Sequence, residues 1–120
     1  MPIIADGAVA LIALLHLYIL VLEMFLWTSP AGRRAFGLTP DFARQTRVLA
    51  ANQGLYNGFL AAGLLWGLSL GAAGTQVKLF FLLCVLAAGL FGAATASRKI
   101  LVIQAFPAAV ALALVALSGG

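Results

Sequence analysis

Residues 7–27 read GAVALIALLHLYILVLEMFLW, an apolar run of the length that crosses about 30 Å of hydrocarbon as an α-helix. It contains a single charge, Glu23. Outward from it the pattern repeats, since residues 48–77, 79–97 and 100–120 contain no Asp, Glu, Lys or Arg. Charge is excluded from long runs rather than diluted evenly, which is the mark of membrane spans. Spans are predicted at about 7–27, 48–70, 78–97 and 100–118. The composition agrees: 64% of the 120 residues are hydrophobic and 8% charged, with a mean hydropathy of +1.13. Soluble domains carry about 25% charged residues, and a short chain exposes a large share of its surface. The bilayer is therefore the expected solvent.

The connections between the second, third and fourth spans are short, so neighbouring helices are expected to run antiparallel. The predicted fold is all-α: an integral membrane up-down four-helix bundle, forming one transmembrane domain over residues 1–120. Basic residues choose its orientation. Arg33, Arg34, Arg44 and Arg47 lie between the first two spans and Arg98 and Lys99 between the last two, against Lys78 alone on the other side. The positive-inside rule then places both termini on the non-cytoplasmic side. The expected location is the cell membrane, multi-pass, which in a bacterium is the inner membrane. A net charge of +4 is thereby explained as topology. No nucleic-acid partner is expected, because the arginines flank spans instead of forming a patch with interleaved aromatics. Met1 to Ala8 lacks Lys and Arg and the apolar run continues to Trp27, so this segment is read as a span and not as a cleaved signal.

The one sizeable loop carries helix punctuation. Ser29 before Pro30 reads as an N-cap with proline at the first helical position, Gly37 closes that segment, and Thr39, Pro40 and Asp41 repeat the start signal. A short interfacial helix with Arg33, Arg34 and Phe36 is expected in this first cytoplasmic loop. A second start is expected to launch the second span early, with Arg44 and Arg47 as headgroup anchors.

At 100° per residue, Val9, Ala13, His16, Leu20, Glu23 and Trp27 form one heptad-spaced stripe on the first helix. A charge near a helix centre is costly in lipid, so His16 and Glu23 should face the bundle interior or a wet cavity. Asn52, Gln53, Tyr56 and Asn57 span about 140° of one face of the second helix. With the two helices antiparallel, Glu23 is expected near the depth of Asn52 and Gln53, and His16 near Asn57. On the third helix Lys78, Leu82, Val85, Gly89, Gly92 and Ala96 form a seam. The fourth adds Gln104, and Pro107, which cannot donate to the Ile103 carbonyl. Gly54 and Gly58 make a GxxxG suited either to a second copy, giving a homo-oligomer, or to the neighbouring helix.

The stretches H-L-Y-I-L-V-L-E-M-F-L-W (16–27) and A-N-Q-G-L-Y-N-G-F-L-A-A-G (51–63) resemble the family of small four-helix membrane proteins known as domain of unknown function 1304. The likeness covers essentially the whole chain. It implies the four-span architecture and no activity.

Chemistry narrows the choices further. One His and one Cys, with Glu23 seven residues from His16, cannot complete a metal shell. No metal and no cofactor are expected. A nucleophilic triad lacks a Ser or Cys at the depth of His16. Proton exchange between Glu23 and His16 remains, because desolvation disfavours the charged form of a buried group. The leading expectation is binding or proton-coupled transport of a small molecule or cation in an intramembrane polar pocket. Glu23 and His16 would transfer protons, and Asn52, Gln53, Tyr56, Asn57, Gln104 and Trp27 would line the ligand. Two alternatives stand beside it: an intramembrane acid/base enzyme of isomerase type on a lipid-like substrate, or a structural or accessory subunit whose polar residues hold helices together. The expected partners are the bilayer and a small-molecule or lipid ligand.

Overall fold

Six helices make up the computed structural model, which describes residues 2–118. They are α1 (Pro2–Met24), α2 (Pro30–Phe36), α3 (Pro40–Gln45), α4 (Arg47–Ser69), α5 (Thr75–Thr95) and α6 (Phe106–Leu117). A 3-10 turn at Gly71–Gly74 joins α4 to α5, and a π-helical turn at Leu101–Ala105 leads into α6. No strand occurs among the described residues. Two stretches, Pro2–Met24 and Gly71–Thr95, are long and apolar enough to cross a membrane, while the apolar Leu101–Leu117 is shorter. α4 has 23 residues, but Asn52, Gln53 and Asn57 dilute its apolar character.

The expected punctuation of the loop is present atom by atom. The Ser29 hydroxyl accepts from the Gly32 N–H at 3.3 Å and donates to the Leu26 carbonyl at 2.6 Å, so one side chain ties the turn after α1 to the start of α2. Gly37 closes α2 with φ of 66°, a left-handed conformation that a side chain disfavours. The Thr39 hydroxyl accepts from the Phe42 N–H at 3.2 Å and starts α3 behind Pro40. α3 does not run straight into α4. The Thr46 hydroxyl donates back to the Phe42 carbonyl at 2.7 Å, and the backbone departs from helical geometry there, at φ −104° and ψ 8°.

Two compact units divide the chain: Leu14–Ala61, and Met1–Ala13 together with Ala62–Gly120. The division falls inside α1 and inside α4. In the second of these units, α4 and α5 run antiparallel, because a Cβ on Gly63 would meet the Phe81 ring and one on Gly67 would meet Lys78. α5 and α6 are likewise antiparallel. Gly89 sits against the Ala105 backbone, where a Cβ would lie 2.8 Å from the Ala105 nitrogen, and Gly92 sits against Ile100. The α5 seam read from the sequence holds through Lys78, Leu82, Val85 and Gly89, all buried, and fades at the half-buried Gly92 and the exposed Ala96. Pro107 acts over a whole turn rather than at one carbonyl: the N–H of Phe106 reaches back five residues to Leu101, widening the helix into its π segment.

Lys78 is 2% exposed, and its Nζ donates to Oδ1 of the half-exposed Asp6 at 3.0 Å. The pair links the first turns of α1 to the start of α5. Large apolar side chains meanwhile lie on the outside, among them Ile3, Leu11, Phe25, Val48, Phe91 and Phe106.

Candidate functional site

The unit Leu14–Ala61 holds the only His and the intramembrane carboxylate of the sequence reading. The stripe expected on α1 is largely the buried one: Val9, Ala13, His16 and Glu23 are all buried, Glu23 at 4% exposure. Against the α1 half that lies in this unit runs α4, antiparallel. A Cβ on Gly54 would fall 2.6 Å from Met24 Cγ and 3.1 Å from Glu23 Cβ, and one on Gly58 would fall 2.7 Å from a Leu20 methyl. Stepping four residues along α4 therefore steps back by three or four along α1, as antiparallel packing requires. The glycines that the sequence offered either to a second copy or to the neighbouring helix face α1.

That packing turns a different face of α4 inward from the one expected. Ala50, Gly54 and Ala61 are buried, with the half-buried Asn57 completing a four-three-four spacing. Asn52, Gln53 and Tyr56 are exposed, Tyr56 at 62%. The physical reason is close approach: the Gly54–Gly58 face lets the two backbones come together, and the bulkier amide face cannot. Of the four polar residues, Asn57 is the one brought to Glu23. Its side-chain amide donates to Glu23 Oε1 at 2.6 Å and to the Gln53 carbonyl at 3.2 Å. The Glu23 Cβ lies against Gly54, beside Gln53 in sequence and so close to the expected depth, but its hydrogen-bond partner is Asn57, about one helical turn further along α4.

The remaining candidates are spread out. His16 is fully buried on the α1 seam. Gln104 is half-buried in the π turn of the other unit. Trp27 lies beyond the end of α1 and serves the loop: its Nε1 donates to the Thr46 hydroxyl at 3.0 Å, and its ring rests on Phe36 with centroids 4.9 Å apart. No group of three His, Cys, Asp or Glu side chains comes together among the described residues.

The three acids of the chain have unlike partners among the described residues. Asp6 meets the Lys78 ammonium and Asp41 pairs with Arg44, whereas Glu23 meets the neutral amide of Asn57. A buried carboxyl held by an amide can release or take a proton, or accept a cation, without first breaking an ion pair.

One feature of this unit escaped the sequence reading. A cavity of about 560 Å³ is lined by Thr28, Arg33, Pro40, Arg44 and Arg47. The sequence assigns these arginines to orientation and headgroup anchoring. Their only joint signal is the three-residue spacing of Arg44 and Arg47, and Arg33 joins them through tertiary structure alone.

Comparison with known proteins places these features in context. The family model described as "Protein of unknown function (DUF1304)" matches residues 10–116. An uncharacterized protein, YpaA, of Lactococcus lactis subsp. lactis (strain IL1403) is 31% identical over 104 residues, covering 85% of this chain and 87% of its own length. No solved structure matches.

Proposed function

Since the chain belongs to the DUF1304 family, whose description assigns no activity, function has to be read from its own residues, and we propose a multi-pass membrane protein whose Glu23 centre binds a cation or a protonatable small molecule and couples that binding to a proton. The proposed setting is the cell membrane, with the helices as an up-down four-helix bundle and both termini on the non-cytoplasmic side. Two observations favour the membrane. Two stretches are long and apolar enough to cross it, and side chains such as Ile3, Phe25 and Phe91 are 86%, 71% and 72% exposed. Water would penalise that surface and lipid would not.

A single observation carries the site: Glu23 is the acid whose partner is a neutral amide, on a buried seam that also holds His16. Ionisable residues within spans mark ion and substrate paths or proton relays. Glu23 would act as counter-ion and proton carrier, Asn57 would orient its carboxyl, and His16 would exchange the proton along α1. Transport is one form of this reading that uses both ionisable groups. An acid/base reaction on a lipid-like substrate would use the same two residues. The structural alternative draws support from the Glu23–Asn57 bond itself, since interhelical polar contacts in membranes hold helices together at about 0.6 kcal/mol each.

The test compares wild type with Glu23→Gln, both purified in mild detergent, by mass spectrometry of the small molecules and lipids that copurify. A species enriched with wild type and lost from a folded Glu23→Gln variant is the expected result. Identical copurifying content, with unchanged activity in cells, would remove the carboxyl from any mechanism and leave the structural reading.

A further inference from the structure

The arginines that charge bias reads as orientation signals converge on one place. Arg33 comes from α2, Arg44 from α3 and Arg47 from the first residue of α4, and with Thr28 and Pro40 they line the cavity of about 560 Å³. That volume falls within the roughly 300–1,000 Å³ of small-molecule sites.

The walls are held in place. Ser29 and Thr39 cap the helices that carry Arg33 and Arg44. The Trp27 indole, bonded to Thr46 and resting on Phe36, ties α2 to the α3–α4 junction. Gly32 is buried so closely against the turn that follows α1 that a Cβ would strike the Leu26 carbonyl. Arg33 is thereby fixed one residue beyond a tight backbone contact.

Electrostatics and hydrogen bonding in the cavity are unbalanced. Three arginines line the cavity and no carboxylate does; Asp41, outside the lining, pairs with Arg44. Both members of that pair are largely exposed, at 66% and 78%, so it is weak and open to competition. The Nε of Arg33 is shut off from water and donates to no acceptor. A guanidinium presents Nε–H and Nη–H as a planar fork that fits two oxygens of one oxyanion. A carboxylate has two oxygens and is satisfied by one fork. Three arginines arriving from three helices suit the several oxygens of a tetrahedral anion instead.

We infer that this cavity is a binding site for a phosphoryl anion, whose oxygens accept from the guanidinium groups of Arg33, Arg44 and Arg47. The same chemistry is presented by the phosphodiester of a lipid headgroup and by free phosphate. The lipid source rests on the membrane placement proposed above; the free-phosphate source does not.

Binding is measured on the full chain in a non-ionic detergent by calorimetry and native mass spectrometry, with three probes: inorganic phosphate, phosphatidylglycerol, and diacylglycerol, which carries similar tails and no phosphate. Circular dichroism checks the helix content of each variant. Phosphate binding identifies free phosphate as the source. Retention of phosphatidylglycerol over diacylglycerol, without phosphate binding, identifies the headgroup. In either case Arg33→Ala weakens binding by roughly tenfold or more, as the loss of charge-assisted bonds implies. Arg33→Lys, which keeps the charge and loses the fork, remains weak. The exposed Arg44→Ala weakens binding too, and serves where Arg33 variants do not fold. Arg98→Ala, in the other unit, leaves binding unchanged. Equal retention of phosphatidylglycerol and diacylglycerol without phosphate binding, or an Arg98→Ala loss as large as that of Arg33→Ala, would overturn the assignment, as would absence of binding to all three probes.

Discussion

The side-chain amide of Asn57 donates to the Glu23 carboxyl across 2.6 Å, joining two antiparallel helices one turn from where Gly54 leaves no room for a Cβ. Removing the amide strands a carboxyl that is 4% exposed. Asn57→Ala should therefore lower stability by about 1–2 kcal/mol, between the average membrane contact and a fully unsatisfied polar group. Denaturant-induced unfolding in detergent micelles, followed by circular dichroism, measures it. The exposed Asn52→Ala is the reference, and an equal loss there would show that the bond contributes nothing.

Glycine packing yields a sharper contrast. A Cβ on Gly54 meets Met24 and Glu23, and one on Gly58 meets Leu20, whereas one on Gly7 meets nothing within 4 Å. Gly54→Leu and Gly58→Leu should each cost about 1–3 kcal/mol through overpacking. Gly7→Ala should be neutral or stabilising by up to about 1 kcal/mol, because alanine is the better helix former. The same unfolding measurement separates the two sets.

For Lys78 and Asp6 the prediction is an asymmetry. Breaking the pair at Asp6 leaves a 2% exposed ammonium without its carboxylate. Replacing the lysine by an apolar side chain of similar length removes the charge altogether. Asp6→Ala should destabilise by about 1–3 kcal/mol, moderated by the half-exposed position of Asp6, while Lys78→Met should be close to neutral or stabilising. Thermal unfolding that ranks the two variants in the reverse order would contradict the buried placement of Lys78.

At the loop, Trp27→Phe keeps an aromatic ring against Phe36 and deletes the bond to Thr46. The expected cost is about 0.5–1.5 kcal/mol. It should be local, so limited proteolysis around Gly37 and Leu38 should accelerate while the unfolding of the long helices changes little. Thr46→Val should reproduce the effect, since it removes the acceptor.

Much of the fold was legible because its signals are local. Ser29, Gly37 and Thr39 punctuate the loop as their side chains and backbone freedom dictate, and the capping bonds span only three residues. The α1 stripe through His16 and Glu23, and the α5 seam from Lys78 to Gly89, follow from helical periodicity. The inward face of α4 did not follow in the same way. Both its amide face and its glycine face are candidates by periodicity, and the choice rests on how closely α1 approaches, which no spacing along α4 encodes.

An all-helical chain, the capped starts of the two loop helices and the Gly37 stop, the burial of Glu23 and His16, and membership of a family without an assigned activity were all legible in the sequence. Those depend on composition, period and capping chemistry. Tertiary structure alone decided that Asn57 and not Asn52 or Gln53 meets Glu23, that Lys78 is buried on Asp6, and that Arg33, Arg44 and Arg47 share one cavity. Each of these depends on the register and approach of elements distant in sequence, where a shift of one helical turn exchanges one partner for another.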